Sequence, residues 1–310
     1  MCELLKIENI DYRYENDILA LNNVSASFGA GELAAVLGSN GAGKSTFFLC
    51  CNGVLRPQKG KIFYRGNEIT NKKKDVYKLR QAVGLVFQDP DSQIIAGAVE
   101  NEVSFGPMNL NLPRDEVARR VEKSLEQMDI ARYRDIAPHY LSGGEKKRVS
   151  IADILAMEPE IILLDEPTAS LDPQNADALE QILFDLNKAG ITVIISTHDV
   201  NFAYRVADRA IVFANGGIIA DAQIDEVFAR DDVLEKAGLK KPLLYEAFEY
   251  LQSNARIASN KRAARDADAT RDADADATRD AHAAPGDPIF GKRKRPRTIE
   301  EFKAYIDTGR

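Results

Sequence analysis

The residues best suited to chemistry follow a short apolar run, Leu33–Leu37, which predicts a buried strand. The run leads into the phosphate-binding pattern G-x-x-x-x-G-K-S/T, extended by one threonine: Gly38, Ser39, Asn40, Gly41, Ala42, Gly43, Lys44, Ser45 and Thr46. Glycines let backbone N–H groups surround phosphate oxygens, and the next helix presents its positive end to the same anion. We expect Lys44 to bridge β- and γ-phosphates and Ser45 to ligate Mg²⁺. A glycine-rich turn without function is the alternative.

Two consecutive carboxylates could supply the other half of a phosphoryl-transfer site. Asp165 and Glu166 directly follow the apolar run Ile161–Leu164, which predicts a second buried strand. Ligands of α/β proteins bind where such strands end. We expect Asp165 to hold Mg²⁺ through water and Glu166 to polarise an attacking water. A solvated strand end is the alternative, but phosphoryl transfer needs both a phosphate site and a metal-side carboxylate.

A third motif, LSGGE at residues 141–145, lies shortly before this acidic pair. Its Ser142 and Glu145 form the S-x-x-E pattern of a capping box, which predicts the start of a helix. Between them, Gly143 and Gly144 leave backbone N–H groups open at that helix start. The motif therefore predicts both a helix cap and a second anion site.

LSGGE resembles the signature motif of ABC-transporter ATPases, which usually ends in Gln, and the order of motifs agrees over about residues 4–230. The resemblance implies that Tyr14 stacks on the adenine of ATP and that Gln88 senses Mg²⁺ and the membrane partner. It makes Ser170–Asp172 the D-loop and implies that His198 contacts the γ-phosphate. Taken alone, His198 could be structural, and Tyr12 could replace Tyr14.

A closer resemblance is to the energy-coupling factor subfamily, the nearest type being the cobalt-import ATPase (CbiO-like). It is carried by residues 86–93, 102–107, 109–112, 139–148 and 155–159. It implies an ATP-hydrolysing subunit that powers import of cobalt or another transition metal ion; import of a vitamin is the alternative. The implied partners are an integral-membrane scaffold, docked near Gln88, Asp91 and Gln93, and a substrate-binding membrane subunit.

One phosphate loop and one signature motif occur in the chain. In ABC ATPases the signature of one protomer completes the site of the other, so the resemblance implies a homodimer or a paralogous heterodimer. No stretch approaches the roughly 18 apolar residues of a membrane span, and the start of the chain lacks a signal-peptide pattern. We therefore expect a peripheral protein at the cytoplasmic face of the cell membrane, held there by its partners.

Two rival functions were weighed against transport. A soluble ABC ATPase of DNA repair or translation usually carries a long coiled-coil insertion or two ATPase halves, and neither fits the stretch between Ser45 and Leu141. A small-molecule phosphotransferase would not need the signature or His198. A net charge of −7 with a pI of about 5.3 predicts no nucleic-acid partner.

Alternating strand and helix patterns predict an α/β fold, a P-loop NTPase with a RecA-like mixed sheet and an inserted α-helical subdomain at about 90–145. The expected ATPase domain is 1–258. Residues 259–310 contain 12 Lys or Arg and 10 Asp or Glu, a decayed Arg-Asp-Ala repeat and few apolar residues, which predicts a largely disordered tail. Its basic run Lys292–Arg295 is either a solvated charge cluster or a contact for anionic lipid or nucleic acid.

Further strands are predicted at 60–66, 83–87, 192–196 and 210–213. Helices are predicted at Arg114–Met128 and from Pro173, after an Asp172 cap.

Overall fold

The computed structural model describes residues 3–15, 17–253 and 295–308. The chain divides into two compact units, 1–240 and 241–310. The predicted domain boundary at 258–259, the Arg-Asp-Ala repeat and Lys292–Lys294 lie outside the described residues. Within the described ranges, no helix has the length and apolar character needed to cross a membrane.

All strands of the described chain lie in the first unit. They are β1 (Glu3–Arg13), β2 (Leu19–Gly29), β3 (Leu33–Leu37), β4 (Lys59–Tyr64), β5 (Asn67–Glu68), β6 (Val83–Val86), β7 (Ile161–Asp165), β8 (Thr192–Thr197), β9 (Arg209–Ala214) and β10 (Gly217–Gln223).

The helices of the first unit are α1 (Lys44–Cys51), α2 (Lys73–Ala82), α3 (Val99–Asn109), α4 (Arg114–Gln127), α5 (Gly143–Ala156), α6 (Pro173–Lys188), α7 (Val200–Val206), α8 (Ile224–Phe228) and α9 (Asp231–Ala237). The second unit contains α10 (243–253) and α11 (Ile299–Thr308).

The larger sheet has the order β10-β9-β3-β8-β7-β6. Its strands run parallel except β10, which is antiparallel to β9. Strands β3, β7 and β8 are buried along their whole length, which explains why each is apolar over most of its length. Leu37 pairs with Thr197, and Asp165 pairs with Ser196. The carboxyl ends of these three strands therefore meet at one edge of the sheet.

The smaller sheet is antiparallel, with the order β2-β1-β4-β5. Strands β1 and β2 were not predicted from the sequence, because their pairing contains several register shifts that interrupt a simple alternation of polar and apolar residues. The strand predicted at 60–66 corresponds to β4, which pairs antiparallel with the short β5. Gly60 has φ +82°, and a Cβ there would lie 2.3 Å from the carbonyl oxygen of Glu8. This position therefore requires glycine.

The insert between β6 and α5 is mainly helical, as predicted. It contains α3, α4 and three short 3₁₀ turns, Pro90–Ser92, Ala131–Tyr133 and Pro138–Tyr140. Val121 and Leu125 of α4 are buried, as their helical spacing predicts. Cys50 and Cys51 of α1 are buried in the core, where desolvation raises the pKa of both thiols.

The second unit shows more structure than its composition predicts. Arg295 lies with its guanidinium carbon 4.1 Å from the ring centre of Tyr245, and the rings of Phe248 and Tyr305 are 4.8 Å apart. Within the tail predicted to be largely disordered, residues 295–308 thus include the helix α11. Too few apolar residues occur there for a core of their own, but two aromatic contacts suffice to pack the segment on α10.

Candidate functional site

The predicted phosphate loop lies between β3 and α1, at the edge where the central strands end. Gly43 precedes α1 with φ +109° and supplies no side-chain cap to the first turn of the helix. A Cβ at Gly38 would lie 2.6 Å from the carbonyl oxygen of Phe213, and one at Gly43 would lie 2.7 Å from that of Ala20. The loop therefore needs glycine at both positions, and the N–H groups that open α1 lack partners in the helix and could bind an anion.

Lys44 is buried at the start of α1, with 5% of its surface exposed. Its ammonium donates hydrogen bonds to the carbonyl oxygens of Gly38 (2.7 Å) and Ser39 (3.2 Å) and lies 3.3 Å from Oε1 of Glu166. A buried ammonium is stable only where such partners compensate its lost hydration. The loop lysine and the strand-end carboxylate, 122 residues apart in sequence, are thus in direct contact.

Asp165 and Glu166 lie at the end of β7 and have different environments. Asp165 Oδ1 accepts a short hydrogen bond from the Ser196 hydroxyl. Glu166 has φ +42°, an uncommon backbone conformation for a residue with a side chain, and its Oε2 lies 3.0 Å from Nδ1 of His198. Within the described chain its buried Oε1 accepts no hydrogen bond. Its charged neighbour there is the Lys44 ammonium at 3.3 Å, so a water molecule could bind this oxygen once that ammonium turns to a phosphate.

Lys44 and Glu166 both line a cavity of about 460 Å³. Its lining joins the phosphate loop to residues far away in sequence: Tyr14, Ile18, Leu19, Ala20, Asn40, Gly41, Ala42, Gly43, Lys44, Ser45, Thr46, Gln88 and Glu166. The Tyr14 hydroxyl lies 3.0 Å from Oγ1 of Thr46, and its ring meets Tyr12 edge-on at 5.0 Å. Tyr12 instead packs against the core. Of the two tyrosines, only Tyr14 lines the cavity, as do Ile18–Ala20, which sequence reasoning missed.

The residues near the phosphate loop offer oxygen donors suited to Mg²⁺. Ser45, Gln88 and Glu166 line the same cavity, and Asp165 precedes Glu166 at the end of β7 without lining the cavity itself. Hydroxyl, amide and carboxylate oxygens are the ligands that Mg²⁺ prefers, usually with retained water. Glu166 Oε1 beside them accepts no hydrogen bond within the described residues, which agrees with a hydrated cation site. The residues present therefore fit Mg²⁺.

The signature motif forms the predicted capping box at the start of α5. The Ser142 hydroxyl donates to Oε2 of Glu145 at 2.8 Å, and the Tyr133 hydroxyl donates a short hydrogen bond to the same carboxylate. These hydrogen bonds lower the pKa of Glu145. Gly143 faces open space, whereas a Cβ at Gly144 would lie 2.5 Å from Cγ of Asn175. Gly143 thus keeps the helix start open, and Gly144 permits close packing against α6.

Ser142, Gly143 and Gly144 do not line the 460 Å³ cavity. The structure thus brings together the phosphate loop, Tyr14, Gln88, Asp165, Glu166 and His198, but it does not bring the signature residues into the same site. The open helix start at Ser142 and Gly143 is exposed.

Segment 87–93 after β6 is attached to α5 by side chains, a feature that sequence reasoning missed. The Lys147 ammonium donates to the carbonyl oxygens of Phe87 (2.8 Å) and Gln88 (2.6 Å). Lys147 is 2% exposed, and burial lowers its pKa to about 8. One signal was available: Lys147 lies four residues before Ile151 and eight before Leu155, on the apolar face of α5.

Two of the residues expected on the docking rim have partners inside the chain. Asp91 pairs with Lys146 at 2.7 Å. Gln93 donates to the carbonyl oxygen of Ser150 at 3.0 Å and accepts from the backbone N–H of Phe87 at 3.1 Å. Gln88 and Asp91 remain exposed, and Gln93 is half-buried. Gln93 therefore stabilises segment 87–93 through hydrogen bonds within the chain.

The phosphate loop lies at one sheet edge, and an open Ser-Gly-Gly helix start lies outside the cavity. These two features together define an ATPase of the ATP-binding-cassette class. Residues 21–169 match the family model described as ABC transporter. The energy-coupling factor transporter ATP-binding protein EcfA of Methanocaldococcus jannaschii is 44% identical over 254 residues, which cover 82% of this chain and 91% of that protein. The EcfA of Methanothermobacter thermautotrophicus is 46% identical over 239 residues, 77% of either chain.

Solved structures agree with these relatives. The cbiO1 protein of Clostridium perfringens, part of the ABC transporter complex cbiONQ, is 40% identical, with a TM-score of 0.69 over 80% of this chain and 100% of that one. The chain belongs to the ABC transporter ATPases of the energy-coupling factor type, and it binds and hydrolyses ATP. The resemblance inferred from the sequence is confirmed. The non-transport ATPase and the phosphotransferase are therefore set aside.

Proposed function

We propose that this chain powers an energy-coupling factor importer as a dimer, formed with itself or with a paralogue. The observation that carries the proposal is the position of Ser142 and Gly143. They form an open helix start, yet they lie outside the cavity lined by Tyr14, Lys44 and Glu166 of the same chain. A second protomer can bring its own helix start to that cavity. A 29% identical cassette solved as a dimer in a post-hydrolysis state with ADP and Pi, TM-score 0.65 over 71% of this chain and 99% of that one, supports this arrangement.

In the proposed site, the adenine stacks on Tyr14 and the phosphates lie against the N–H groups of Gly38–Thr46. Lys44, which faces Glu166 in this structure, turns its ammonium to the β- and γ-phosphates. Ser45, Gln88 and Asp165 hold Mg²⁺, which neutralises charge on the phosphate oxygens when bound.

Hydrolysis then depends on the carboxylate of Glu166. Its Oε1 accepts no hydrogen bond in the described chain and orients the attacking water, taking up its proton. His198 holds Oε2 at 3.0 Å and contacts the γ-phosphate. Ser142 and Gly143 of the second protomer complete the phosphate contacts. Closure around ATP and reopening after hydrolysis provide the motion that a transporter uses.

The proposed partners are an integral-membrane scaffold and a substrate-binding membrane subunit, which hold the ATPase at the cytoplasmic face of the membrane. The similarity to cbiO1 of the cbiONQ complex supports them. The helical insert also exposes Ile95 (73%), Phe105 (52%) and Met108 (63%). Exposed apolar side chains on one insert suit a protein partner. The cargo we propose is cobalt or another transition metal ion, with a vitamin as the second candidate.

Co-purification tests the membrane partnership. Tagged full-length chain, expressed with candidate membrane subunits, should retain them, and Asp91→Lys should weaken the retention while ATP binding persists. Asp115→Lys, on the exposed start of α4, is the matched control. The double variant Asp91→Lys/Lys146→Asp restores the internal ion pair. If the double variant also restores retention, Asp91 acts within the chain and not on the partner.

Uptake into proteoliposomes tests the cargo. ATP-dependent uptake of labelled Co²⁺, lost in Glu166→Gln, is the expected result, whereas uptake of a vitamin alone would support the second candidate. Stable membrane association of the chain without any scaffold would contradict the partnership and favour direct lipid contact by the basic run near residue 295.

A further inference from the structure

The segment that carries Gln88 is joined to the signature helix by side chains from both sides. Lys147 of α5 donates to the carbonyl oxygens of Phe87 and Gln88, and Lys146 pairs with Asp91. In return, Gln93 donates to the carbonyl oxygen of Ser150 on α5. Segment 87–93 and helix α5 are therefore held as one body, and the contact nearest to Gln88 is made by Lys147.

Packing alone does not account for a lysine at this position. Lys147 is 2% exposed, and among the described residues its ammonium bonds only to the carbonyl oxygens of Phe87 and Gln88. Removing a charge from water is costly, and replacing buried charges by apolar groups of similar volume is often neutral or stabilising. Methionine would fill the same space. The ammonium thus makes a contact that methionine could not make: it holds the backbone carbonyl oxygens of Phe87 and Gln88, in the field of the Asp165 and Asp89 carboxylates.

We propose that Lys147 is a positioning residue for ATP hydrolysis, which fixes Gln88 relative to the signature helix so that Gln88 and Ser142 move together. Lys147 lies five residues after Ser142, about 7.5 Å along a helix at about 1.5 Å per residue. Ser142 serves the partner's nucleotide, while Gln88 lines the cavity of its own chain. Lys147 thereby links closure of the partner's nucleotide site, through Ser142, to the arrangement of the nucleotide site in its own chain, through Gln88. This inference rests on the proposed roles of Gln88 and of the dimer.

The test uses the purified full-length chain under conditions in which it hydrolyses ATP. Lys147→Met removes the ammonium and leaves an unbranched apolar side chain one atom shorter, the same reach as Gln. We expect kcat to fall about 10- to 100-fold, since small displacements of a positioned group have effects of this size. The half-saturating Mg²⁺ concentration should rise at least threefold. The Kd of a fluorescent ATP analogue should stay within twofold, and the melting temperature should not fall.

Three further variants separate positioning from a structural role. Lys147→Gln keeps an N–H donor on a side chain one atom shorter than lysine and should recover most of the lost rate. It also serves as the test variant if Lys147→Met does not fold. Lys123→Met, at an exposed position on α4, is the matched control and should keep the wild-type kcat. In a Gln88→Ala background, Lys147→Met should have no further effect, because coupled residues are not additive.

Each outcome bears on a defined claim. If Gln88→Ala slows hydrolysis and Lys147→Met leaves kcat within twofold of wild type, the inference about Lys147 is overturned and the role of Gln88 stands. If neither variant changes kcat, the proposed role of Gln88 fails as well. An undiminished loss from Lys147→Met in the Gln88→Ala background, or a loss that Lys147→Gln does not reduce, would also overturn the inference.

Discussion

Nδ1 of His198 lies 3.0 Å from Oε2 of Glu166, so the carboxylate that follows β7 is held by the histidine that follows β8. The other oxygen of this carboxylate lies 3.3 Å from the ammonium of Lys44. One buried side chain thus contacts both the phosphate loop and the exposed histidine. The positive φ of Glu166 aims the carboxylate between them, and strain of this kind is typical of functional sites.

Replacing Glu166 by Gln should preserve ATP binding and remove most turnover. Lys44 keeps its hydrogen bonds to Gly38 and Ser39, so the loop retains its shape, but the amide cannot accept a proton from water. Loss of a general base lowers rates by about 10²–10⁴-fold. Single-turnover hydrolysis and size-exclusion chromatography with ATP should show slow chemistry and an accumulated dimer. Turnover within threefold of wild type would contradict the role of Glu166.

Tyr14 should contribute to affinity through its ring and not through its hydroxyl. Base–aromatic stacking is worth about 1–3 kcal/mol, so Tyr14→Ala should raise the Kd for ATP about tenfold. Tyr14→Phe loses only the contact with Thr46 and should stay within threefold. Inhibition by tripolyphosphate, which has no base, should be the same in all variants. An effect of Tyr12→Ala equal to that expected for Tyr14→Ala, with ATP affinity unchanged in Tyr14→Ala, would assign the stacking to the other tyrosine.

Asp153 of α5 should make stability depend on pH. Desolvation raises its pKa to about 7, and the nearby Glu102 carboxylate adds to the shift. Because the folded pKa exceeds the unfolded value of about 3.9, the folded state holds this proton more tightly. This contribution is complete below pH ~4 and is lost as the pH rises toward 7.

The measurement compares the wild type with Asp153→Asn, which stays neutral throughout. Between pH 5 and pH 8, the free energy of unfolding of the wild type should fall relative to the variant by about 2 kcal/mol, since one pKa unit corresponds to about 1.4 kcal/mol. Urea denaturation at both pH values gives the difference. Asp115→Asn, at an exposed position of α4, should show none. Parallel pH curves for wild type and Asp153→Asn would contradict the prediction.

Removal of residues 295–310 should loosen the second unit without affecting the ATP site. The deletion takes away the Arg295 guanidinium over Tyr245 and the ring of Tyr305 against Phe248. Amide hydrogen exchange over 243–253 should therefore become faster. ATP affinity should stay within twofold, because the described site lies within residues 1–240. Lys303→Ala is the point-variant control, and unchanged exchange after the deletion would show that these ring contacts do not order α10.

Features that depend on neighbours in sequence could be predicted. The loop Gly38–Thr46 follows from its glycines, its lysine and the apolar run before it. The capping box of Ser142 and Glu145 spans three residues and forms as predicted. Strands β3, β7 and β8 are buried along their whole length, and each contains a run of at least three apolar residues that is easily recognised. Order and spacing of these local motifs also sufficed to place the chain in its family.

Contacts between distant segments required the tertiary structure. Strand register places Lys44, Glu166 and His198 at one sheet edge. No local sequence pattern predicts that the Glu166 carboxylate contacts both Lys44 and His198. Tyr12 and Tyr14 are two residues apart and could not be told apart by sequence, whereas in the fold only Tyr14 of the two lines the cavity. Lys147 is one of many lysines until packing buries it against Phe87 and Gln88. These relationships depend on which side chains meet after the chain has folded, because burial and hydrogen-bond geometry are set by residues far apart in sequence.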